Sequence, residues 1–350
     1  MNPSFWEGKT VFLTGHTGFK GGWIAHWLHE LGAAVHGYSL QPPTHSNFFA
    51  ATQLQRRLAR STIADIRDLN SLTSAVKQAK PGIIIHMAAQ PLVRESYNTP
   101  VETFATNVMA TVNVLEAARN VGTCKAIVNI TTDKCYENKE WPWSYRENDR
   151  LGGHDPYSAS KACAEIVTSA YRRSFLADAN IHLASARAGN VIGGGDWASD
   201  RLIPDFLRSL DAGETLTIRS PNAIRPWQHV LEPLSGYLLL AEKLYTEGSA
   251  FSEAWNFGPN DDDAKPVSWI VDQLCAHSPG TSWQVENAKQ SQEAGLLKLD
   301  SSKARAHLGW APRWNLETAL HSTIAWYQAW RDKKDVAAVT SAQIRAYTGS

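Results

Sequence analysis

Residues 10–23, TVFLTGHTGFKGGW, decide the fold. Thr10–Thr14 is an apolar run of strand length, and Gly15, Gly18 and Gly21 follow it at GxxGxxG spacing. The overlapping stretch GGWIAHWLHELG has helical character and stops at Gly32. Glycines between a buried strand and a helix let the backbone turn tightly and approach a pyrophosphate, whose charge is favoured at the helix N-terminus. Three glycines alone say little, but directly after an N-terminal buried strand they predict a dinucleotide-binding unit. Its loop residues Gly15, Thr17, Gly18, Phe19, Lys20 and Gly21 are then candidates to face the cofactor.

The rest of the first half repeats the rhythm. Apolar runs AAVHGYSL, STIADIRD, GIIIHMAAQ, KAIVNITTDK and IHLASARAGNVIG alternate with helical patterns over LNSLTSAVKQAK, VETFATNVMATVNVLEAARNVG and the residues after Pro156. Strands separated by helices predict right-handed βαβ units and a parallel sheet covered on both faces. The expected fold class is α/β, a doubly wound parallel (Rossmann) sheet with a smaller C-terminal α+β lobe. Ligands of such sheets bind beyond the carboxyl ends of the strands. After about residue 190 turn residues multiply and the rhythm is lost. We expect a dinucleotide-binding domain over 1–189, to which 225–258 returns through the strand AWNFGP. A substrate lobe is expected over 190–224 and 259–330, and a polar C-terminal tail over 331–350.

Composition narrows the function classes. At 350 residues the chain exceeds the size at which single cores stop growing. Lysine plus arginine and aspartate plus glutamate both number 34, so no basic face predicts nucleic-acid binding. No apolar run approaches the roughly 20 residues that cross a bilayer, and the start lacks a basic head followed by an apolar core, so a cytoplasmic protein is expected. Cys124, Cys135, Cys163 and Cys275 show no CxxC or His/Cys ligand spacing, which predicts neither a metal site nor disulfides. The 14 tryptophans read as packing residues.

DPYSASKACAE, residues 155–165, supplies chemistry. Pro156 beside Asp155 predicts a helix start, and Tyr157 and Lys161, four apart, then share one face. A phenol titrates near pH ~10, so service as a base near neutrality needs a shift of roughly 3 units, about 4 kcal/mol. A cation one turn away supplies part of that.

With the glycine loop and this pair in place, the chain resembles the extended short-chain dehydrogenase/reductase family. The resemblance runs nearly end to end, through ADIRD, HMAAQ, NVMATVNVLEAA and LGWAPRWNLETALHSTIAWY. It implies NAD as cofactor and a catalytic centre of Tyr157, Lys161 and Thr132 from NITTDK. It also implies cofactor contacts at Asp65, Ile66, Ala88, Gln90 and Asn107, with Lys161 lowering the Tyr157 pKa and holding the nicotinamide ribose. Asp133 and Lys134 follow Thr132, and ketone reduction or 4-epimerisation needs no such extra pair. The nucleotide-sugar 4,6-dehydratases carry an acid/base pair here, usually Asp-Glu. The Asp-Lys variant, with RAGNVIGGGDW and RPWQHVLEPLSGYL, is similar to the branch acting on CDP-sugars, in deoxysugar and O-antigen (lipopolysaccharide) biosynthesis. The resemblance implies Asp133 as acid, Lys134 as base or electrostatic stabiliser, and a homodimer or homotetramer built through helices near 98–120 and 156–175. For the substrate, Asn190, Arg201, Arg225 and His229 are the candidates, arginine forks suiting pyrophosphate oxygens.

Two departures stand out. The second strand ends HGYSLQPPTHS, without the acid that usually binds the cofactor ribose, and the glycine loop carries His16 and Lys20. A looser hold on NAD is expected. A nucleotide-sugar epimerase or reductase, a dehydratase acting on dTDP-glucose or GDP-mannose, and a non-catalytic dinucleotide sensor remain as alternatives.

Overall fold

The computed structural model describes residues 1–278, 280–286 and 295–349. Strands β1 (Thr10–Thr14), β2 (Ala34–Ser39), β3 (Arg60–Ile63), β4 (Ile83–His86), β5 (Ala126–Ile130), β6 (His182–Ala188) and β7 (Ala254–Phe257) form one sheet. All pairs are parallel, in the order β3-β2-β1-β4-β5-β6-β7. The chain leaves β1 for β2 on one side and returns as β4 on the other. Such a reversal opens a crevice outside the carboxyl ends of the strands.

Alternation along each strand explains why both faces are covered. Val11, Leu13, Ile83, Ile85, Ala126 and Val128 point into one core with Trp23 and Trp27 of helix Phe19–Glu30 and Leu234 of helix Leu231–Glu247. Phe12, Ile84, Ile127 and Leu183 point into the other, against Leu72 and Val76 of helix Leu69–Ala79 and Val114 of helix Ala110–Arg119. Each fully buried side chain of this size contributes roughly 1.5–3 kcal/mol.

Past β6 the chain builds a third core from Phe206 and Leu207 of helix Leu202–Ala212, Leu216 and Ile218, Ile270 and Leu274 of helix Val267–Ala276, and Leu320. Its strands are short ribbons: Leu216–Ile218 runs parallel to Trp283–Val285, and Ile224–Pro226 antiparallel to Ala264–Pro266. Residues 279 and 287–294 of the segment expected to join this lobe lie outside the described residues.

The long helix expected over 101–122 runs from Pro100 to Arg119, with a π-helical turn, Ala105–Met109, inside it. One expectation needs correction. The tail expected after Arg331 contains helix Val336–Thr348, capped by Asp335. Its buried face includes Thr340 and Ser341, which meet Trp326 Nε1 at 2.9 Å and His26 Nε2 at 2.9 Å. Polar residues on the inner face hid the helix from a hydrophobicity reading.

Candidate active site

A cleft of about 1390 Å³ follows the carboxyl ends of β1, β2, β4, β5 and β6 and reaches the third core. A single drug-sized ligand fills roughly 300–1,000 Å³, so this cleft has room for two.

At its centre stand residues from β5 and helix Pro156–Tyr171. Pro156 occupies the first helical position, and the Asp155 carboxylate accepts from Ser158 N at 2.9 Å. The Tyr157 amide donates to Ser96 Oγ at 3.1 Å, so the start of this helix is also tied to helix Val93–Asn98. No local pattern announces that contact across 61 residues. Tyr157 and Lys161 are 8% and 6% exposed and both line the cleft, as does Thr132. Lys161 Nζ donates to the Ile130 carbonyl at 3.2 Å. Burial draws the Lys161 ammonium down to about 8, opposed by the Glu165 carboxylate. Burial pushes the Tyr157 phenol up to about 12, with the Thr132 hydroxyl and the Arg201 guanidinium acting against the rise. A low-dielectric wall penalises the phenolate more than these neighbours favour it.

Asp133 and Lys134 open a short 3₁₀ turn, Asp133–Cys135. Asp133 Oδ1 accepts from Thr132 Oγ1 at 2.9 Å, while its buried Oδ2 has no hydrogen-bond partner. Burial drives this carboxyl up, against the pull of Lys134, Thr132 and Arg225. Burial thus shifts Asp133 in the direction a proton donor requires. Space for it comes from Gly189, where a Cβ would lie 2.8 Å from Asp133 Oδ2 and 2.5 Å from Pro226. Lys134 lines the cleft beside it.

Toward the third core the cleft is lined by Asn190, Arg201 and Arg225. Arg201 Nη1 donates to Asp196 at 2.8 Å, and this carboxylate raises the guanidinium's pKa. Arg225 is 7% exposed and donates to the Ile224 carbonyl at 3.0 Å. His229 does not belong here. It is fully buried, with its ring 5.8 Å from Trp23 and 4.9 Å from Trp314, and burial lowers its pKa to about 3. Strand alternation from Arg225 and Trp227 puts position 229 in the cleft, but Trp227 N bonds back to the Arg225 carbonyl at 3.0 Å and kinks the chain.

At the other end lie Gly15, Thr17, Gly18, Phe19, Lys20 and Gly21. Gly15 has φ of +81°, and a Cβ on Gly21 would sit 2.0 Å from the Gly15 carbonyl oxygen. No side chain caps helix Phe19–Glu30, whose N-terminus faces the cleft. Asp65, Ile66, Ala88 and Gln90 line the same end. This loop fits a dinucleotide: no side chain occupies the helix N-terminus and its glycines leave no Cβ in the way. Asn107 is the exception among the expected contacts. It is 1% exposed, and its amide joins Gln90 N and O to Ser160 Oγ at 2.9, 3.1 and 2.8 Å. The π-helical turn aims it inward, where it locks the loop after β4 to the Tyr157 helix. Where an acid commonly ends the second strand, the Ser39 hydroxyl meets Thr17 Oγ1 at 2.8 Å. His16 turns away from the cleft, its ring packed over Gly37 and its Nε2 2.8 Å from Ser61 Oγ. Lys20 Nζ donates to Tyr237 at 3.0 Å, and burial with neighbouring Lys161 and Arg201 draws its ammonium down to about 7.

The family model described as GDP-mannose 4,6 dehydratase matches residues 12–323, which span the glycine loop, the Tyr157 helix and the third core. The chain belongs to this family. A CDP-glucose 4,6-dehydratase of Salmonella typhimurium is 53% identical to this family member over 353 residues, 99% of this chain and 98% of the relative. A dTDP-glucose 4,6-dehydratase of Escherichia coli is 26% identical over 295 residues, 75% of this chain and 78% of the relative. Among solved structures, a dTDP-glucose 4,6-dehydratase of Bacillus anthracis in complex with NAD superposes with a TM-score of 0.76 at 20% identity, covering 94% of this chain and 100% of that one. MoeE5 in complex with UDP-glucose and NAD gives 0.76 at 24% identity, covering 93% and 100%. The family has the extended short-chain dehydrogenase/reductase fold seen here. Among the described residues, no helix is long and apolar enough to cross a membrane.

Proposed function

We propose that this protein is a CDP-D-glucose 4,6-dehydratase, converting CDP-glucose to CDP-4-dehydro-6-deoxy-D-glucose and water with NAD. One observation carries this function: Asp133, buried and with its carboxyl pushed up by that burial, stands in the same cleft as Tyr157 and Lys161. A redox pair alone suffices for epimerisation or reduction; an adjacent acid adds elimination. The cytidine choice is supported by the Salmonella relative.

Bound NAD supplies a hydride acceptor that later returns the hydride, and a positive ring that favours an ionised phenol. Tyr157 takes the proton from the hydroxyl on sugar carbon 4, with the Thr132 hydroxyl holding that oxygen. Lys161 keeps a positive charge beside the ribose. The ketone at carbon 4 acidifies carbon 5, where Lys134 removes a proton and later restores one. Asp133 protonates the hydroxyl leaving carbon 6, so water departs. Tyr157 then loses its acquired proton and Asp133 regains one through solvent. Lys134→Met that left hydrogen exchange at carbon 5 unchanged would confine Lys134 to charge stabilisation.

Asn190, Arg201 and Arg225 hold the sugar and diphosphate in this reading, and Gly15–Gly21, Asp65, Ile66, Ala88 and Gln90 hold NAD, with Asn107 fixing their loop. The 1–189 segment with 225–258 serves the cofactor, and 190–224 with 259–330 the substrate. Without an acid after β2, NAD is held loosely enough to be lost on gel filtration. Apolar side chains exposed at Val101 (76%), Met109 (54%) and Ile166 (59%) support a homodimer, or a homotetramer, through the helices that carry them. The protein works in the cytoplasm, in deoxysugar supply for surface polysaccharide.

Incubation with NAD and, separately, CDP-glucose, dTDP-glucose and GDP-mannose tests the function. Consumption of CDP-glucose with the alkali absorbance of a 4-keto-6-deoxy sugar is expected. Preference for another nucleotide moves the assignment within the family, and a product retaining its carbon 6 hydroxyl turns it to an epimerase or reductase.

A further inference from the structure

The two halves of the proposed chemistry sit on different elements, and a buried polar cluster joins them. Glu165 lies one turn beyond Lys161 on the same helix, with its side chain 3% exposed. Its carboxylate accepts four hydrogen bonds: Thr131 Oγ1 at 2.5 Å, Ser185 Oγ at 2.6 Å, and Arg187 Nε and Nη2 at 2.9 and 2.8 Å. Thr131 immediately precedes Thr132. Arg187, also 3% exposed, sends Nη1 onward to the Tyr136 hydroxyl at 2.7 Å and the Glu147 carbonyl at 3.1 Å. Its guanidinium carbon lies 4.9 Å from the Tyr136 ring centroid. Tyr136 directly follows the Asp133–Cys135 turn, and its hydroxyl donates to Asn256 Oδ1 of β7 at 2.7 Å. An unbroken path thus runs from the Lys161 helix through Glu165, Arg187 and Tyr136 to the turn carrying Asp133 and Lys134.

Stability is a weak reason for such a cluster. A buried ion pair is often replaceable by apolar side chains at no loss, whereas a fully satisfied one imposes fixed geometry on the elements it joins. Every charged partner here is satisfied, and both ends of the path abut proposed reacting groups. On the dehydratase reading, we infer that Glu165, Arg187 and Tyr136 are positioning residues that hold the elimination turn in register with the hydride-transfer helix. Tyr136 acts on the elimination side and Glu165 on the redox side.

The two sides separate in single-turnover experiments with CDP-glucose and NAD. The rise of reduced-nicotinamide absorbance reports oxidation at carbon 4, and its decay reports elimination and hydride return. Tyr136→Phe removes one hydroxyl while Arg187 keeps both Glu165 and the Glu147 carbonyl. It is expected to leave the rise and KM within about twofold and slow the decay about tenfold, the worth of one buried hydrogen bond. Glu165→Gln is expected to slow the rise about tenfold, and Glu165→Asp to recover part of it. Melting temperatures of all three variants are measured beside the kinetics. Equal slowing of both phases in Tyr136→Phe and Glu165→Gln, scaling with lost thermal stability, overturns the inference, as does an unchanged decay in Tyr136→Phe. Should Glu165→Gln fail to fold, the Tyr136→Phe decay decides alone. A parent protein that yields no 4-keto-6-deoxy product removes the dehydratase reading and this inference with it; an active parent with either adverse pattern removes this inference only.

Discussion

The proposed cofactor end of the cleft centres on one contiguous loop, Gly15–Gly21, with Asp65, Ile66, Ala88 and Gln90 beside it. The substrate end is assembled from single side chains on separated segments: Asn190 after β6, Arg201 before a helix, Arg225 in a two-stranded ribbon. At the first end the geometry is carried by what is missing, since a Cβ on Gly21 would overlap the Gly15 carbonyl. At the second it is carried by what is present, two guanidinium groups already engaged with Asp196 and with the Ile224 carbonyl. Backbone recognition is insensitive to most side-chain changes and intolerant of a few. Side-chain recognition degrades in steps, one contact at a time.

That contrast can be broken. Tyr157→Phe, at the junction of the two ends, is expected to lower kcat by about 10³-fold while leaving NAD and CDP binding intact, since a general base contributes 10²–10⁴. Fluorescence titration beside the rate assay checks it, and a fully active variant removes Tyr157 from the chemistry. Gly21→Ala is expected to weaken NAD binding by about 10²-fold or more, through overlap that costs on the scale of an overpacked core. CDP binding should be unchanged in isothermal titration; equal weakening of both ligands would erase the distinction between the ends. Arg225→Met should do the reverse, raising KM for the nucleotide sugar by about 10- to 100-fold, the worth of a charge-assisted hydrogen bond, with NAD affinity untouched.

The smallest effect sharpens the comparison through pH. His16, His86 and His229 are fully buried and neutral, with pKa values lowered by burial to about 4, about 3 and about 3 from an ordinary 6.5. The unfolded chain therefore binds more protons as pH falls below 6.5. Their contribution is complete above that pH and is lost as pH falls toward the folded values, at about 1.4 kcal/mol per histidine per pH unit. Thermal melts should show a steep loss between about pH 6.5 and pH 5. His16 and His86 sit beneath the cofactor end, so saturating NAD should raise the melting temperature at each pH without flattening the slope. A flat profile would mean that these rings are protonated in the fold.

What sequence revealed was whatever is written in neighbouring residues. The strand runs, the glycine loop, the Tyr157–Lys161 face and the Asp133–Lys134 addition each depend on spacings of a few positions, which backbone geometry converts directly into structure. Contacts between distant segments were not legible. His229 was a substrate candidate beside Arg225, and the fold places its ring against Trp23 and Trp314 in the aromatic core instead. Asn107 pointed at the cofactor by resemblance; a π-helical turn spends its amide on Gln90 and Ser160. The raised Tyr157 phenol followed from burial, which no i to i+4 spacing contains.

By itself the sequence determined the sheet, the edge at which its cleft opens and the candidate reacting groups, because periodicity and glycine placement act over one or two turns of chain. Only tertiary structure decided which polar side chains face the cleft and which lock the framework behind it. Glu165, Arg187 and Tyr136 come from a helix, a strand and a turn that meet only when both faces of the sheet are covered, and the burial that sets their roles exists nowhere in the unfolded chain.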